Sequence, residues 1–233
     1  MKLKYKRISL KLSGEAVGSE CKAVDFEVIE KIAWEIKLLY DAGVEVGVTM
    51  GGGNIWRGGT AVGMERTRAD EMGMLATVIN SIALEAMLKK LSVPCIILSN
   101  VPMERICSTF TPERAEEAFQ AGKVVLFAAG SGLAYFTTDT SAAIKAAEIH
   151  ADVLMLAKNV DGVYTCDPRS DANAVKLDHL CYDEVVHRGL RATDLTAITF
   201  CKDNSIPILV FAMRETGSIL KAAAGECPGT LID

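Results

Sequence analysis

VEVGVTMGGGN, residues 44–54, decides the fold. Its apolar run over 44–50 has the length of a strand and stops at Gly51-Gly52-Gly53. Just upstream, residues 25–41 place apolar side chains at 29, 32, 33, 36, 39 and 40. That spacing is one face of a helix, and Gly43 stands where a C-terminal cap belongs. Before it, residues 7–12 alternate charged and apolar positions as a strand does. Downstream the alternation continues. A helix is predicted over 68–90, a strand over 93–99, a helix over 112–120 and a strand over 124–129. A helix over 138–150, a strand over 153–157, a helix over 194–204, a strand over 208–211 and a short helix over 219–224 follow. Strands alternating with helices of this length imply an α/β chain. They form a three-layer α-β-α sandwich around a mostly parallel sheet, read as a single domain over 1–233. In the 68–90 helix, Met72, Leu75, Ala76, Ile79, Ile82, Ala83 and Ala86 fall on one side. That stripe suits a buried dimer face and the monomer core equally well.

Composition narrows the function classes. Of 233 residues, 50% are hydrophobic and 24% charged, ample for one large core. The formal charge of −5 leaves no basic nucleic-acid footprint at the level of the whole chain. Seven cysteines (21, 95, 107, 166, 181, 201 and 227) are widely spaced with no CxxC, which fits reduced thiols rather than a disulfide framework or a zinc site. His150, His179 and His187 form no metal-ligand pair and read as surface or packing residues. The basic start, MKLKYKRISLKLSGEA, has an apolar run only over 8–12, broken by Ser9 and Lys11. No secretory leader and no span of membrane-crossing length are read, so a soluble, cytoplasmic protein is expected.

Ligands of parallel sheets sit beyond the carboxyl ends of the strands. Three predicted strands run there into small or glycine-rich turns: Lys11-Leu12-Ser13-Gly14-Glu15, Gly51-Gly52-Gly53-Asn54 and Ala129-Gly130-Ser131-Gly132. Glycine lets backbone N–H groups approach a phosphate closely. Neither GxxxxGK[ST] nor GxGxxG is present, so a P-loop and a dinucleotide-binding turn are both excluded. Lys11 and Arg57 are the candidate cations beside these loops. The plainer readings are a surface lysine on an edge strand and a solvated loop arginine. Asp70, Asp139, Asp161, Asp167 and Asp194 are the candidate carboxylates. Thr137-Thr138-Asp139 reads first as a helix N-cap, and Asp161-Gly162 and Asp167-Pro168 read first as turns.

Seven segments carry a resemblance: KLSGEA (11–16), GGGNIWRG (51–58), DEMGMLATVIN (70–80), FTTDTSAA (136–143), VDGVYTCDP (160–168), TDLTAITFCKDNSIPILVF (193–211) and GTLI (229–232). In this order they resemble the bacterial uridylate kinases of the amino acid kinase superfamily along essentially the whole chain. The resemblance implies a sheet of about eight strands, a homohexamer, Mg-ATP as donor and UMP as acceptor in pyrimidine nucleotide synthesis. Magnesium would ride on the ATP phosphates, with no metal site on the protein. It also implies roles for residues. Lys11, Leu12, Ser13 and Gly14 would line the ATP phosphates with Gly53 and Arg57. Lys158 or Asn159, with Tyr164 and Asp167, would contact the rest of ATP. Gly52, Asp70 and the stretch Ser131, Gly132, Leu133, Ala134, Tyr135, Phe136, Thr137 and Thr138 would take UMP. Lys11, Arg57, Asp139 and Asp194 would be catalytic, Asp194 as the carboxylate that orients the lysine.

The sequence departs from the family pattern at Leu133, where an asparagine is usual, which bears on selectivity for UMP over CMP. The segment 19–23 lacks the glycine-rich pattern linked to GTP activation. The tripeptide Ala157-Lys158-Asn159 also differs from that of many members. The competing readings are a superfamily kinase acting on a carboxylate or carbamate, and a nucleotide-binding storage or regulatory protein on the same scaffold.

Overall fold

The computed structural model describes residues 3–19, 21–60, 63–168, 170–171, 173–190, 193–213, 216–226 and 229–233, leaving Cys227 and Glu20 outside the described residues. Among the described residues the strands are β1 (Arg7–Leu12), β2 (Glu45–Met50), β3 (Cys95–Ser99), β4 (Ser108–Thr109), β5 (Val124–Ala128), β6 (Val153–Lys158), β7 (Val163–Tyr164), β8 (Lys176–Leu177), β9 (His179–Leu180), β10 (Ile208–Ala212) and β11 (Thr230–Ile232). The α-helices among them are α1 (Phe26–Asp41), α2 (Arg66–Lys90), α3 (Pro112–Gln120), α4 (Thr138–Glu148), α5 (Tyr182–His187), α6 (Leu195–Asp203) and α7 (Ser218–Ala223).

The main sheet runs β4-β3-β5-β2-β1-β6-β10-β11-β9. All its pairings are parallel except β10 with β11. Among the described residues it has nine strands where the resemblance implied about eight. β4 and β9, at its two edges, are two residues long, too short to show a period. β7 and β8 form a separate antiparallel pair.

Period-two alternation splits the core into two layers. Ile8, Leu10 and Leu12 of β1, with Val46, Val48 and Met50 of β2, pack under α1, α2 and α7. Leu154, Leu156, Ile208 and Val210 pack under α4, α5 and α6, and Val125 and Phe127 under α3. Ser9 therefore faces α4, where its hydroxyl donates to the Ala142 carbonyl at 3.2 Å. Lys11, two residues on, lies on that same face of a central strand and is 6% exposed. This overturns the reading of Lys11 as a surface residue on an edge strand.

α2 is 25 residues long, and by length and composition alone it could cross a membrane, contrary to the reading from sequence. It serves here as a helix of the sandwich, with Ala69, Ala76, Leu84 and Leu88 buried. The single apolar side read from sequence divides in two. Ala76 and Ala83 face inward, whereas Met72, Leu75, Ile79 and Ile82 are 38 to 52% exposed. Those four residues are thus not monomer core. The six described cysteines are free thiols.

Candidate active site

The carboxyl ends of β1, β2, β5 and β6 open onto one edge of the sheet, and the chemistry gathers there. The loops after β1 and β2 touch backbone to backbone. Gly51 donates its N–H to the Leu12 carbonyl at 2.8 Å. A Cβ on Gly14 would lie 2.5 Å from Gly53 N, and one on Gly51 would lie 2.7 Å from Gly14 N. Only glycine permits so close an approach. The pair is held from below by α2. Asn80, fully buried, donates to the Gly51 carbonyl at 2.7 Å and exchanges hydrogen bonds with the Asn54 side chain. Thr77 accepts the Ala129 N–H at 2.8 Å and so fixes the turn after β5. Thr77 and Asn80 were not singled out from sequence. Their signal was two polar residues on the inward side of an apolar helix.

Lys11 projects from β1 toward the first turn of α4. Thr137 caps that helix by accepting the N–H groups of Asp139 and Thr140, both at 3.1 Å. This turns the Asp139 carboxylate toward the sheet. Lys11 Nζ stands 2.6 Å from Asp139 Oδ1. Lys158, at the end of β6, donates to Oδ2 at 2.8 Å, and the Thr193 hydroxyl donates to Oδ2 at 2.6 Å. Two ammonium groups thus share one carboxylate. Burial pulls the Lys11 pKa below its ordinary value, and Asp139 offsets part of that. Burial pushes Asp139 the other way, toward protonation, but Lys11 and Lys158 overcome it and hold the carboxyl well below its usual range.

Asp194, which the resemblance gave as the carboxylate that orients Lys11, does not pair with it directly, since Asp139 does. It is the N-cap of α6, accepting the Ala197 N–H at 2.9 Å. It also accepts hydrogen bonds from the Thr137 and Thr140 hydroxyls, joining the starts of α4 and α6. It reaches Lys11 through α4 and through its charge.

Arg57 pairs with Glu15, and its guanidinium lies 3.5 Å from where a Gly53 Cβ would be, beside the glycine loops. Ser13, Lys158 and Asn159 line a cavity of about 540 Å³ together with Trp34, Lys31 and Met213. Tyr164 and Asp167 line a second cavity, of about 500 Å³, together with Val160, the residue that follows Asn159. Tyr164 donates to Asp161 Oδ1 at 2.7 Å.

On the other flank lies the 131–137 loop. Leu133, Tyr135 and Phe136 are exposed, and Gly132 approaches Asn100 closely enough to leave little room for a side chain. The Asn100 side chain donates to the Gly130 carbonyl. Asp70 accepts the Tyr135 N–H at 2.8 Å, tying the loop to the first turns of α2. The edge thus has glycine-lined backbone donors, two clustered ammonium groups and an adjacent loop of exposed apolar side chains. Such an arrangement neutralises and positions phosphate groups, which is most of what phosphoryl transfer requires.

Comparison with known proteins places this geometry. The profile of the amino acid kinase family matches residues 6–212. A UMP kinase from Ureaplasma parvum superposes with a TM-score of 0.94 at 34% identity, covering 99% of this chain and 100% of that one. A UMP kinase from Bacillus anthracis gives a TM-score of 0.95 at 34% identity, over 98% of this chain and 96% of that one. A uridylate kinase from Archaeoglobus fulgidus gives 0.74 at 31% identity, over 98% and 100%.

Proposed function

The chain belongs to the amino acid kinase family, and we propose that it is a uridylate kinase, moving the γ-phosphoryl group of ATP to UMP. The observation that carries this reading is the Lys11–Asp139–Lys158 cluster at the glycine-lined edge of a fold shared end to end with UMP kinases. The UMP phosphate is itself the nucleophile, so a strong general base is not needed. Asp139 is held ionised and gripped by two lysines, which suits an orienting group rather than a base. An ammonium has three N–H donors. One carboxylate oxygen takes part of that capacity, and the remainder of Lys11 and Lys158 can meet oxygens of the phosphoryl group in transit.

In this reading the backbone N–H groups around Gly14 and Gly53 hold the donor phosphates, with Arg57 beside them. Asp70 and the 131–137 loop take the nucleoside of UMP. Magnesium enters as part of the Mg-ATP substrate, since Asp139 is already shared by two lysines. We also propose self-association, with six copies as the number the family resemblance implies. The exposed Met72, Leu75, Ile79 and Ile82 of α2 supply an apolar face for it. A cytosolic place in pyrimidine nucleotide synthesis follows from the same reading.

The test is ADP release from Mg-ATP with UMP, CMP, GMP and AMP in turn. Turnover on UMP well above the others is expected. Equal turnover on CMP would keep the kinase and overturn its selectivity, and would point to Leu133. ATP binding with no turnover on any of the four would replace the kinase with a non-catalytic member of the fold.

A further inference from the structure

Arg66 and Asp70 form an i,i+4 pair at the start of α2, with Arg66 Nε 2.8 Å from Asp70 Oδ2. Pairs of this spacing are usually solvated helix decoration. Three contacts from outside the helix set this one apart. The Tyr135 N–H donates to the same Oδ2 at 2.8 Å. The Arg66 guanidinium lies 5.3 Å from the centroid of the Tyr135 ring. Gly58 packs so tightly on the carboxylate that a Cβ there would lie 2.3 Å from Asp70 Oδ1. The Trp56 indole N–H holds the same loop down by donating to the Ala69 carbonyl at 2.8 Å. Tyr135 itself sits at φ +69°, a conformation its side chain disfavours and which the surroundings must maintain.

One carboxylate therefore joins three segments: the loop that follows the glycine triplet, the first turns of α2, and the 131–137 loop. Its side chain is 13% exposed, so its charge needs donors at hand. Among the described residues both donors fall on Oδ2, while Oδ1 lies on the side that Gly58 packs against.

We propose that Arg66 is a positioning residue of the acceptor half of the site. It fixes the Asp70 carboxylate from one side and the Tyr135 ring from the other. The 131–137 loop is thereby set, and the carboxylate that the reading above gives to the nucleoside of UMP is held in place. The inference rests on the uridylate kinase reading for the identity of that nucleotide, but the joint itself does not.

Two measurements on Arg66→Met and Arg66→Lys test it. The first is amide hydrogen exchange across 131–137 in the protein without ligand. Arg66→Met should speed exchange at Tyr135 roughly tenfold, the scale of one lost charged hydrogen bond. Arg66→Lys, which keeps the charge without the flat fork, should lie between that variant and the parent. The second is steady-state kinetics. KM for UMP should rise by roughly tenfold in Arg66→Met, with kcat at saturating UMP and KM for ATP within about twofold of the parent. Unchanged exchange at Tyr135 would overturn the joint. An equal fall in kcat with both KM values raised would overturn the positioning role and leave general loosening of the fold. A parent protein that turns over no nucleotide would remove the uridylate kinase reading, and the exchange result would still decide whether Arg66 holds the loop.

Discussion

The Lys11 ammonium and the Asp139 carboxylate meet at 2.6 Å across the seam between the central strand β1 and the first turn of α4. Neither residue is placed by its own element alone. The strand period turns Lys11 toward α4, and the Thr137 cap fixes where α4 begins.

Lys11→Ala is expected to lower kcat by about 10²–10³, the scale of removing one preorganised donor from a phosphoryl-transfer site. The fold should survive, because the truncation also relieves a buried ammonium of its desolvation cost. Kinetics at saturating Mg-ATP and UMP, with circular dichroism as the check on folding, measure this. A folded variant of parental kcat would remove Lys11 from the chemistry.

Asp139→Asn leaves Lys11 and Lys158 without their shared counter-charge and should cost about 3–5 kcal/mol at neutral pH. The folded-state pKa of Asp139 lies below its ordinary value of 3.8. Its contribution is therefore fully present above about pH 4–5 and lost as pH falls through the folded-state pKa. Urea titrations of parent and variant between neutral pH and pH 3 should show the stability gap narrowing on acidification. A gap that widens would reverse the sign of the argument.

Asn80→Ala should destabilise by about 1–3 kcal/mol, because the Gly51 carbonyl and the Asn54 amide lose a buried partner. The same change frees the glycine loops, so KM for ATP should rise alongside the lower urea midpoint. Loss of stability with unaltered KM would confine Asn80 to the core.

Ile79→Glu puts a charge in the middle of the exposed stripe of α2 without touching the core. Light scattering at micromolar concentration should show smaller particles than the parent. A parent that is already monomeric would dispose of the proposed assembly.

Much of the frame was legible locally. The bounds of β1 and α3 coincide with those read from periodicity, and Pro112 and Gly122 mark α3 as they should. α2 starts at Arg66 rather than 68, because Glu65 serves as its cap in a place more often held by a shorter side chain. α4 stops at Glu148 rather than 150, and His150 takes φ +51° in the turn that follows. β4, β7, β8, β9, β11 and the six-residue α5 are too short to carry a period.

The site was legible as a set of loops and not as a set of contacts. That Lys11 is buried depends on β6 pairing with the far side of β1, some 140 residues later in the chain. That Asp139 rather than Asp194 meets it depends on how α4 and α6 abut. Order in space of this kind leaves no mark on local spacing. Thr77 and Asn80 did leave one, since a hydroxyl and an amide on an inward helix face need partners, and here the partners are the loops themselves.

The shared cap at Asp194 has a mechanical consequence. Thr193 grips Asp139 and Asp194 grips Thr137 and Thr140, so the start of α6 holds the start of α4 like two fingers on one hinge pin. A tilt of α6 that keeps these contacts carries the carboxylate between the two lysines with it. α6 is in this sense the handle of a short lever whose other end is that carboxylate.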